Sequence, residues 1–99
     1  MQLKFWVDPI ESSPIGYMRA NSIAQAKLLI AFAVMNCDVE EININQNVND
    51  YGLNNANIFD LLEWLIESNI QTNIILHGQD NERTTDIIKF MNGSCLCLI

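Results

Sequence analysis

Four polar residues follow hydrophobic segments of the chain at the points where those segments end. Asp8 follows the first segment, Asn45 and Asn47 follow the second, and His77 follows the third. In an open sheet of parallel strands, ligands bind just beyond the carboxyl ends of the strands. If the three segments are strands of one sheet, these four side chains meet at one edge. The sequence therefore predicts a candidate site at that edge.

Asp8 and His77 are the candidate catalytic residues, because a carboxylate favours the charged form of a nearby imidazole and the two can act as an acid and base couple. The alternative is a polar contact without catalysis. Asn45 and Asn47 are candidate ligand contacts through their NH₂ groups, although asparagine also serves turns and left-handed backbone. Arg83 follows His77 in the chain and is either a phosphate contact or a solvated residue at a helix start.

Three further acids are expected at the same edge as Asp8. Glu11, Asp50 and Asp80 each fall in a predicted loop or turn close to a strand end. Together they would give the edge a negative charge, which attracts cations or a basic protein surface and repels nucleotides.

Hydrophobic patterning predicts the elements that position these residues. Ser22 and Asn57 are predicted helix N-caps, with Gln25 and Asp60 three residues later in each first turn. Residues 46–56 are rich in asparagine and read as a loop, and 16–20 is either a short strand or a loop. The predicted strands cover 3–8, 39–45, 73–76 and 94–99, and the predicted helices cover 22–35, 57–68 and 82–91.

Alternation of strands and helices predicts an α/β fold in a single domain that spans residues 1–99. We expect a small, mostly parallel sheet of four or five strands, with about three helices on its faces and both faces covered. The run from Leu28 to Met35 is apolar almost all round, which predicts a helix buried on more than one side. It is far shorter than the roughly 20 residues that a membrane span needs.

The composition limits the classes of partner. The chain has 99 residues and a net charge of −7, from 12 acidic and 5 basic side chains. Such a surface repels nucleic acid and anionic membranes, and it suits a partner protein with a basic surface or mimicry of nucleic acid. Three cysteines in no metal-binding spacing, and no secretory signal at the start, predict a reducing, cytoplasmic location.

The order of these elements resembles a receiver domain, the flavodoxin-like module of response regulators, and more narrowly the small cyclic-phosphate-processing receiver family. The resemblance rests on Asp8 with a proline after it, the Gly16-Tyr17 step, and the segment 57–60 followed by a Leu-Glu-Trp-Leu element at 62–65. It continues to His77-Gly78, where the family places a His-Ser-type turn. The resemblance covers residues 3 to 91 and implies a site at the strand ends.

The chain departs from the family at the acidic positions. Pro9 stands where the family has its second acid, and 45–47 reads Asn-Gln-Asn where the family has Asp-His-Asp. Ile58 replaces a glycine, and no lysine follows the last helix. Neutral amides keep hydrogen bonding but lack the charge and basicity that Mg²⁺ binding and phosphoryl transfer require.

These departures predict a non-catalytic pseudo-receiver without a metal or cofactor, acting as an accessory or inhibitor by binding another protein or by forming a homodimer. The abundance of asparagine and isoleucine is typical of AT-rich coding sequence and suggests a phage source. The alternative is an enzyme or binder of cyclic or terminal phosphate that uses Asp8, His77 and Arg83. A weaker alternative is a nucleic-acid mimic, which requires acids spaced regularly along one face.

Overall fold

Strands and helices alternate along most of the chain. The computed structural model describes residues 2–50 and 55–99. Residues 51–54 of the predicted loop therefore lie outside the described residues. The elements are β1 (Gln2–Val7), β2 (Met18–Ala20), α1 (Ile23–Ala33), β3 (Asp38–Asn45), α2 (Ile58–Glu67), β4 (Asn73–His77), α3 (Asn81–Met91) and β5 (Cys97–Leu98).

The five strands of the described chain form one sheet in the order β2-β1-β3-β4-β5, and every neighbouring pair is parallel. The predicted small, flavodoxin-like α/β fold is confirmed, with five strands and three helices. The ambiguous segment 16–20 supplies β2, a short strand at one edge of the sheet. The C-terminal segment supplies β5 at the other edge, so it completes the sheet.

The helices pack against one face of the sheet, not against both as expected. Phe5, Val7, Ile42, Ile44 and Ile74 are fully buried and belong to the same core cluster as apolar residues of all three helices. The residues that alternate with them on β1, β3 and β4 are half-exposed. The three helical connections run from β2 to β3, β3 to β4 and β4 to β5, all in the same direction along the sheet. Because such connections are right-handed, all three helices fall on the same face.

The opposite, half-exposed face carries polar and aromatic side chains and is partly covered by the connection between β1 and β2. Tyr17 from this connection packs edge-on against Trp6, with ring centroids 5.8 Å apart. Its hydroxyl donates a hydrogen bond to the Glu41 carboxylate, and this bond raises the pKa of Tyr17.

Helix α1 departs most from its prediction. Ile23, Ala26, Ile30 and Ala33 are buried against the sheet. The opposite side of α1 is exposed, although the sequence predicts a helix buried on more than one side. That prediction is wrong for the described residues, because none of them packs against the outer side of the helix. The helix also ends at Ala33, two residues earlier than predicted.

The helix N-termini use local side chains, with one long-range exception. Asn57 and Asp60 form the reciprocal capping box at α2. At α1 the Ser22 hydroxyl accepts from the Gln25 backbone N–H, but the Gln25 side chain accepts from Asn21 and leaves the box incomplete. Two more donors at the start of α1 are satisfied by a distant carboxylate, described below. Among the described residues, no helix has both the length and the apolar character needed to cross a bilayer.

Candidate functional site

Asp8, Asn45 and His77 meet at the carboxyl ends of three neighbouring strands. Asn45 and His77 are register partners at the ends of β3 and β4. Asp8 directly follows β1, whose last residue pairs with Ile44 of β3. Because all three strands run the same way, their ends lie at one edge, as the sequence analysis expects.

The Asp8 carboxylate is fully buried and accepts four hydrogen bonds. Its Oδ1 atom accepts from the backbone N–H groups of Ile10, at 2.8 Å, and Glu11, at 2.9 Å. Its Oδ2 atom accepts from Nδ2 of Asn45 at 3.1 Å and lies 2.8 Å from Nε2 of His77. Pro9 turns the chain after β1 so that the next two N–H groups point back at the carboxylate. Asp8 therefore joins the loop after β1 to the ends of β3 and β4.

This environment lowers the pKa of Asp8. Burial by itself disfavours the charged form and raises the pKa. The hydrogen bonds from the backbone of Glu11 and Ile10, and then those from His77 and Asn45, together outweigh burial, so the pKa falls from 3.8 to about 2. Asp8 is consequently ionised throughout the physiological range, and a base of such low pKa accepts a proton poorly in catalysis.

Three contacts hold the His77 ring on the open face of the sheet. Its Nε2 atom faces Asp8, and its Nδ1 atom lies 2.6 Å from Oδ1 of Asn43. Its ring stacks on Trp6, with centroids 4.0 Å apart and planes at 10°. When protonated, His77 donates to both oxygen atoms and forms an ion pair with Asp8. The ring is therefore fixed in orientation, and its side chain is only 17% exposed.

Trp6 and Asn43 were not among the candidates from the sequence. They are register partners on β1 and β3. The available signal was the two-residue period of a strand, which places them on the same face as the side chain of His77. The two-residue period alone does not select Trp6 and Asn43, because it does not show which face is exposed or that β1 and β3 are neighbours.

Asn45 uses both atoms of its amide within the protein. Its NH₂ group donates to Asp8, and its Oδ1 accepts from the backbone N–H of Asn47 at 2.9 Å. A Cβ atom on Gly78 would lie 3.1 Å from Asn45 Oδ1, and Gly78 has a φ of +91°. Glycine at 78 therefore allows both the left-handed turn and the close approach of Asn45. Each polar atom of the Asn45 amide therefore already bonds to the protein, and one N–H hydrogen and one lone pair remain beyond these bonds.

Asn47, unlike Asn45, is exposed to solvent. It lines a cavity of about 390 Å³ together with Pro9, Ile10, Asn45, Val48 and Asn49. This cavity lies beside the buried Asp8 and is lined by apolar side chains and amides. Of the predicted ligand contacts, Asn47 is the one with an exposed side chain.

Gln46, which is not among the candidates from the sequence, connects three elements near the site. It is only 4% exposed. Its NH₂ group donates to the carbonyl of Gly78 at 2.7 Å, and its Oε1 accepts from the Thr84 hydroxyl at 2.6 Å. Gln46 thus connects the ends of β3 and β4 to the first turn of α3. It also lines a second cavity, of about 520 Å³, along the turn 78–81.

Two of the three predicted acids cap helices. Asp50 caps α1, since its carboxylate accepts from the backbone N–H groups of Ile23, at 2.6 Å, and Ala24, at 2.9 Å. Asp80 is the N-cap of α3 and accepts from the backbone N–H of Arg83. Both carboxylates are therefore bonded to backbone N–H groups that begin a helix, and these helices start after β2 and β4, at the edge where β1 and β3 end. A shared negative surface with Asp8 stays a prediction.

Glu11 lies near the pair, whereas the Arg83 side chain packs against an aromatic ring. Asp8, Glu11 and His77 offer ligand atoms that all lie within 4.8 Å of one another. A cation there would compete with the N–H donors already bonded to Asp8. The guanidinium carbon of Arg83 lies 5.4 Å from the centroid of the Phe59 ring, a cation–π arrangement.

The geometry holds the Asp8–His77 pair in a fixed orientation, with the exposed amide of Asn47 and the exposed acid Glu11 near it. Comparison with known proteins adds no relative: no family model, no curated protein and no solved structure matches this chain.

Proposed function

We propose that this chain is a non-catalytic, receiver-like protein of the cytoplasm that acts by binding another protein. The observation that supports this most directly is the occupation of Asp8, whose two oxygens already accept four hydrogen bonds. A general base, a phosphoryl acceptor or a Mg²⁺ ligand has to offer a free lone pair to the reacting group. The lone pairs of Asp8 instead accept hydrogen bonds from other residues of the protein.

The neighbouring amides support the same proposal. Asn45 and Gln46 stand where the resembled family has an acid and a histidine, and both side chains bond to protein atoms at the strand ends. Their amides replace charge with neutral hydrogen bonds that brace the loops. The receiver-like edge is thus used to hold the fold together.

The acidic surface of two helices supports a partner that is basic. Glu63 and Glu67 are exposed one turn apart on α2, and Glu82 and Asp86 are exposed one turn apart on α3. The two helices are neighbours on the same face of the sheet. We name these four residues the acidic α2–α3 surface. Such a surface steers a basic protein toward it, and the attraction weakens as salt rises.

Affinity capture tests this proposal. Immobilised wild-type protein is expected to retain a basic protein from lysate at low salt, and a Glu63→Gln/Glu67→Gln variant should lose it. Asp38→Asn is the matched control, since Asp38 is exposed at the start of β3, away from these helices. Capture by both variants alike would contradict the acidic α2–α3 surface as the binding site.

The alternative, processing of a cyclic or terminal phosphate, is favoured by one observation: Asp8 and His77 do meet, beside exposed Glu11 and two cavities. It is tested by turnover of 2′,3′-cyclic nucleotides. The non-catalytic proposal expects no turnover by the wild type. Hydrolysis by the wild type that disappears in His77→Gln would overturn that proposal in favour of the enzyme.

A further inference from the structure

The exposed side of α1 carries a continuous row of apolar residues. It consists of four helical residues, Ala24, Leu28, Ala31 and Phe32, together with Met35 of the turn that follows the helix. We name these five residues the α1 stripe, and all five are exposed. Leu28 is 65% exposed, Phe32 73% and Met35 74%. Spacing of three and four residues places the four helical members along one side of α1, and Met35 follows them in the turn. Leu28, Phe32 and Met35 are thus large apolar side chains exposed to solvent next to one another.

A helix that is apolar on all sides is normally enclosed on all sides. Only the side that faces the sheet is enclosed in α1, within residues 2–50 and 55–99. The three bulky residues of the α1 stripe expose on the order of 400 Å² per copy, taking ordinary side-chain areas. A contiguous apolar patch of that size is as large as the largest patch on a typical monomeric protein, and such patches are often interaction sites.

We propose that the α1 stripe binds the α1 stripe of a second copy, with the two helices antiparallel about a two-fold axis. The charge distribution favours this occupant. The chain carries a net charge of −7, so two copies repel each other over most of their surfaces. The sequence of α1 contains no acid, and Lys27 is its one charged residue. Its surface is where two such chains approach with the least repulsion.

The sizes of the residues also fit an antiparallel pair. One register places Met35 of each copy over Ala24 of the other, and Leu28 over Ala31. The same register places Phe32 over the aliphatic stem of Lys27, where the ammonium group can also meet the ring. Two of the three bulky residues therefore face alanine and the third faces a flexible aliphatic stem, so the surface is complementary to itself, as a two-fold interface requires.

This dimer is separate from the basic partner proposed above, which would bind the acidic α2–α3 surface. The apolar area is smaller than the roughly 800 Å² per partner of a standard stable interface, so we expect dissociation on the order of micromolar. Loss of the dimer would leave the proposed binding function standing. Equally, turnover of a cyclic nucleotide would refute the non-catalytic function without touching the dimer.

Sedimentation equilibrium of the wild type, from low micromolar to millimolar concentration, tests the proposal. The mass is expected to rise from monomer to dimer. Leu28→Glu should raise the dissociation constant about 100-fold or more, because it buries an unpaired charge. Ile88→Glu is the matched control, since Ile88 is an exposed apolar residue of α3 and carries the same change in charge. It should leave the dimer intact.

Circular dichroism first establishes that both variants fold. A wild type that stays monomeric at millimolar concentration would overturn the proposal, and so would a dimer that tolerates Leu28→Glu. Charge pairing then tests the register: Leu28→Glu and Ala31→Lys should each be monomeric alone and should form a mixed dimer when combined. Failure of the mixture to associate would overturn the antiparallel register.

Discussion

The Nε2 atom of His77 lies 2.8 Å from Oδ2 of Asp8, although 69 positions separate the two residues in the chain. The contact spans the end of β3, which lies between their strands. It therefore joins three strands at one edge, and the four hydrogen bonds on Asp8 make this edge a structural centre. Its strength can be measured through pH, substitution and added cations.

Stability should fall in acid as Asp8 becomes protonated. The pKa of Asp8 is lowered in the folded protein, from 3.8 to about 2. A lowered pKa means that the contribution is fully present above about pH 4 and is lost as the pH falls from about 4 to 2, with a size of about 2 kcal/mol. Chemical denaturation at several pH values measures this loss.

Asp8→Asn provides the control for that titration. It keeps the shape of the side chain but removes the charge that faces His77, so it should cost about 2–4 kcal/mol at neutral pH. In this variant the free energy of unfolding should also depend much less on pH between pH 4 and 2. An acid dependence as steep as that of the wild type would show that another group causes it.

Gly78→Ala should destabilise the protein more than Gly93→Ala. Both glycines have positive φ, at +91° and +81°, so alanine strains the backbone at each by about 1 kcal/mol. At Gly78 the new Cβ would also lie 3.1 Å from Asn45 Oδ1, whereas at Gly93 it meets nothing within 4 Å. The difference between the two free energies of unfolding isolates the contact with Asn45. Equal losses of stability in the two variants would mean that the Asn45 side chain moves away from the new Cβ atom at no cost.

Asn45→Asp should create a site for a divalent cation at the cost of stability. It replaces the NH₂ group that bonds to Asp8 at 3.1 Å with a second carboxylate oxygen. Two adjacent carboxylates repel, so the free energy of unfolding should drop by about 2–3 kcal/mol at neutral pH. Mg²⁺ bridges such a pair and should restore part of the loss, which thermal melts with and without Mg²⁺ detect.

Asn47→Asp is the matched control, since it adds the same charge on an exposed residue. Its stability should change by less than about 0.5 kcal/mol. A rise in melting temperature with Mg²⁺ that is as large in the wild type as in Asn45→Asp would contradict the account of a neutralised site.

Gln46→Leu should cost about 1 kcal/mol, because it removes the donor to the Gly78 carbonyl and one of two acceptors near the Thr84 hydroxyl. The other acceptor, the Asp80 carbonyl at 2.9 Å, remains. Thr84→Val removes the hydroxyl. The double variant should therefore lose less than the sum of the two single losses, and denaturation of all four proteins measures the coupling. Strict additivity would show that the bond between Gln46 and Thr84 contributes nothing.

Much of the fold could be predicted from the sequence. The runs that became β1, β3 and β4 are identified by their apolar residues, and Asn57 with Asp60 marks the start of α2 correctly. The meeting of Asp8 with His77 followed from one added rule, that parallel strands end at one edge. The role of Asp50 could not be predicted in this way, because its partners at the start of α1 lie 26 and 27 positions away.

The sequence by itself determined the helices, the main strands and the edge at which Asp8 and His77 meet, because periodicity and capping depend on residues a few positions apart. Only the tertiary structure decided that the lone pairs of Asp8 are taken and that Gln46 is a brace. It also decided that one side of α1 remains exposed. Burial and hydrogen-bond occupation depend on which distant segments the topology brings together. A local sequence pattern does not contain this information, because it covers only residues that are close together in the chain.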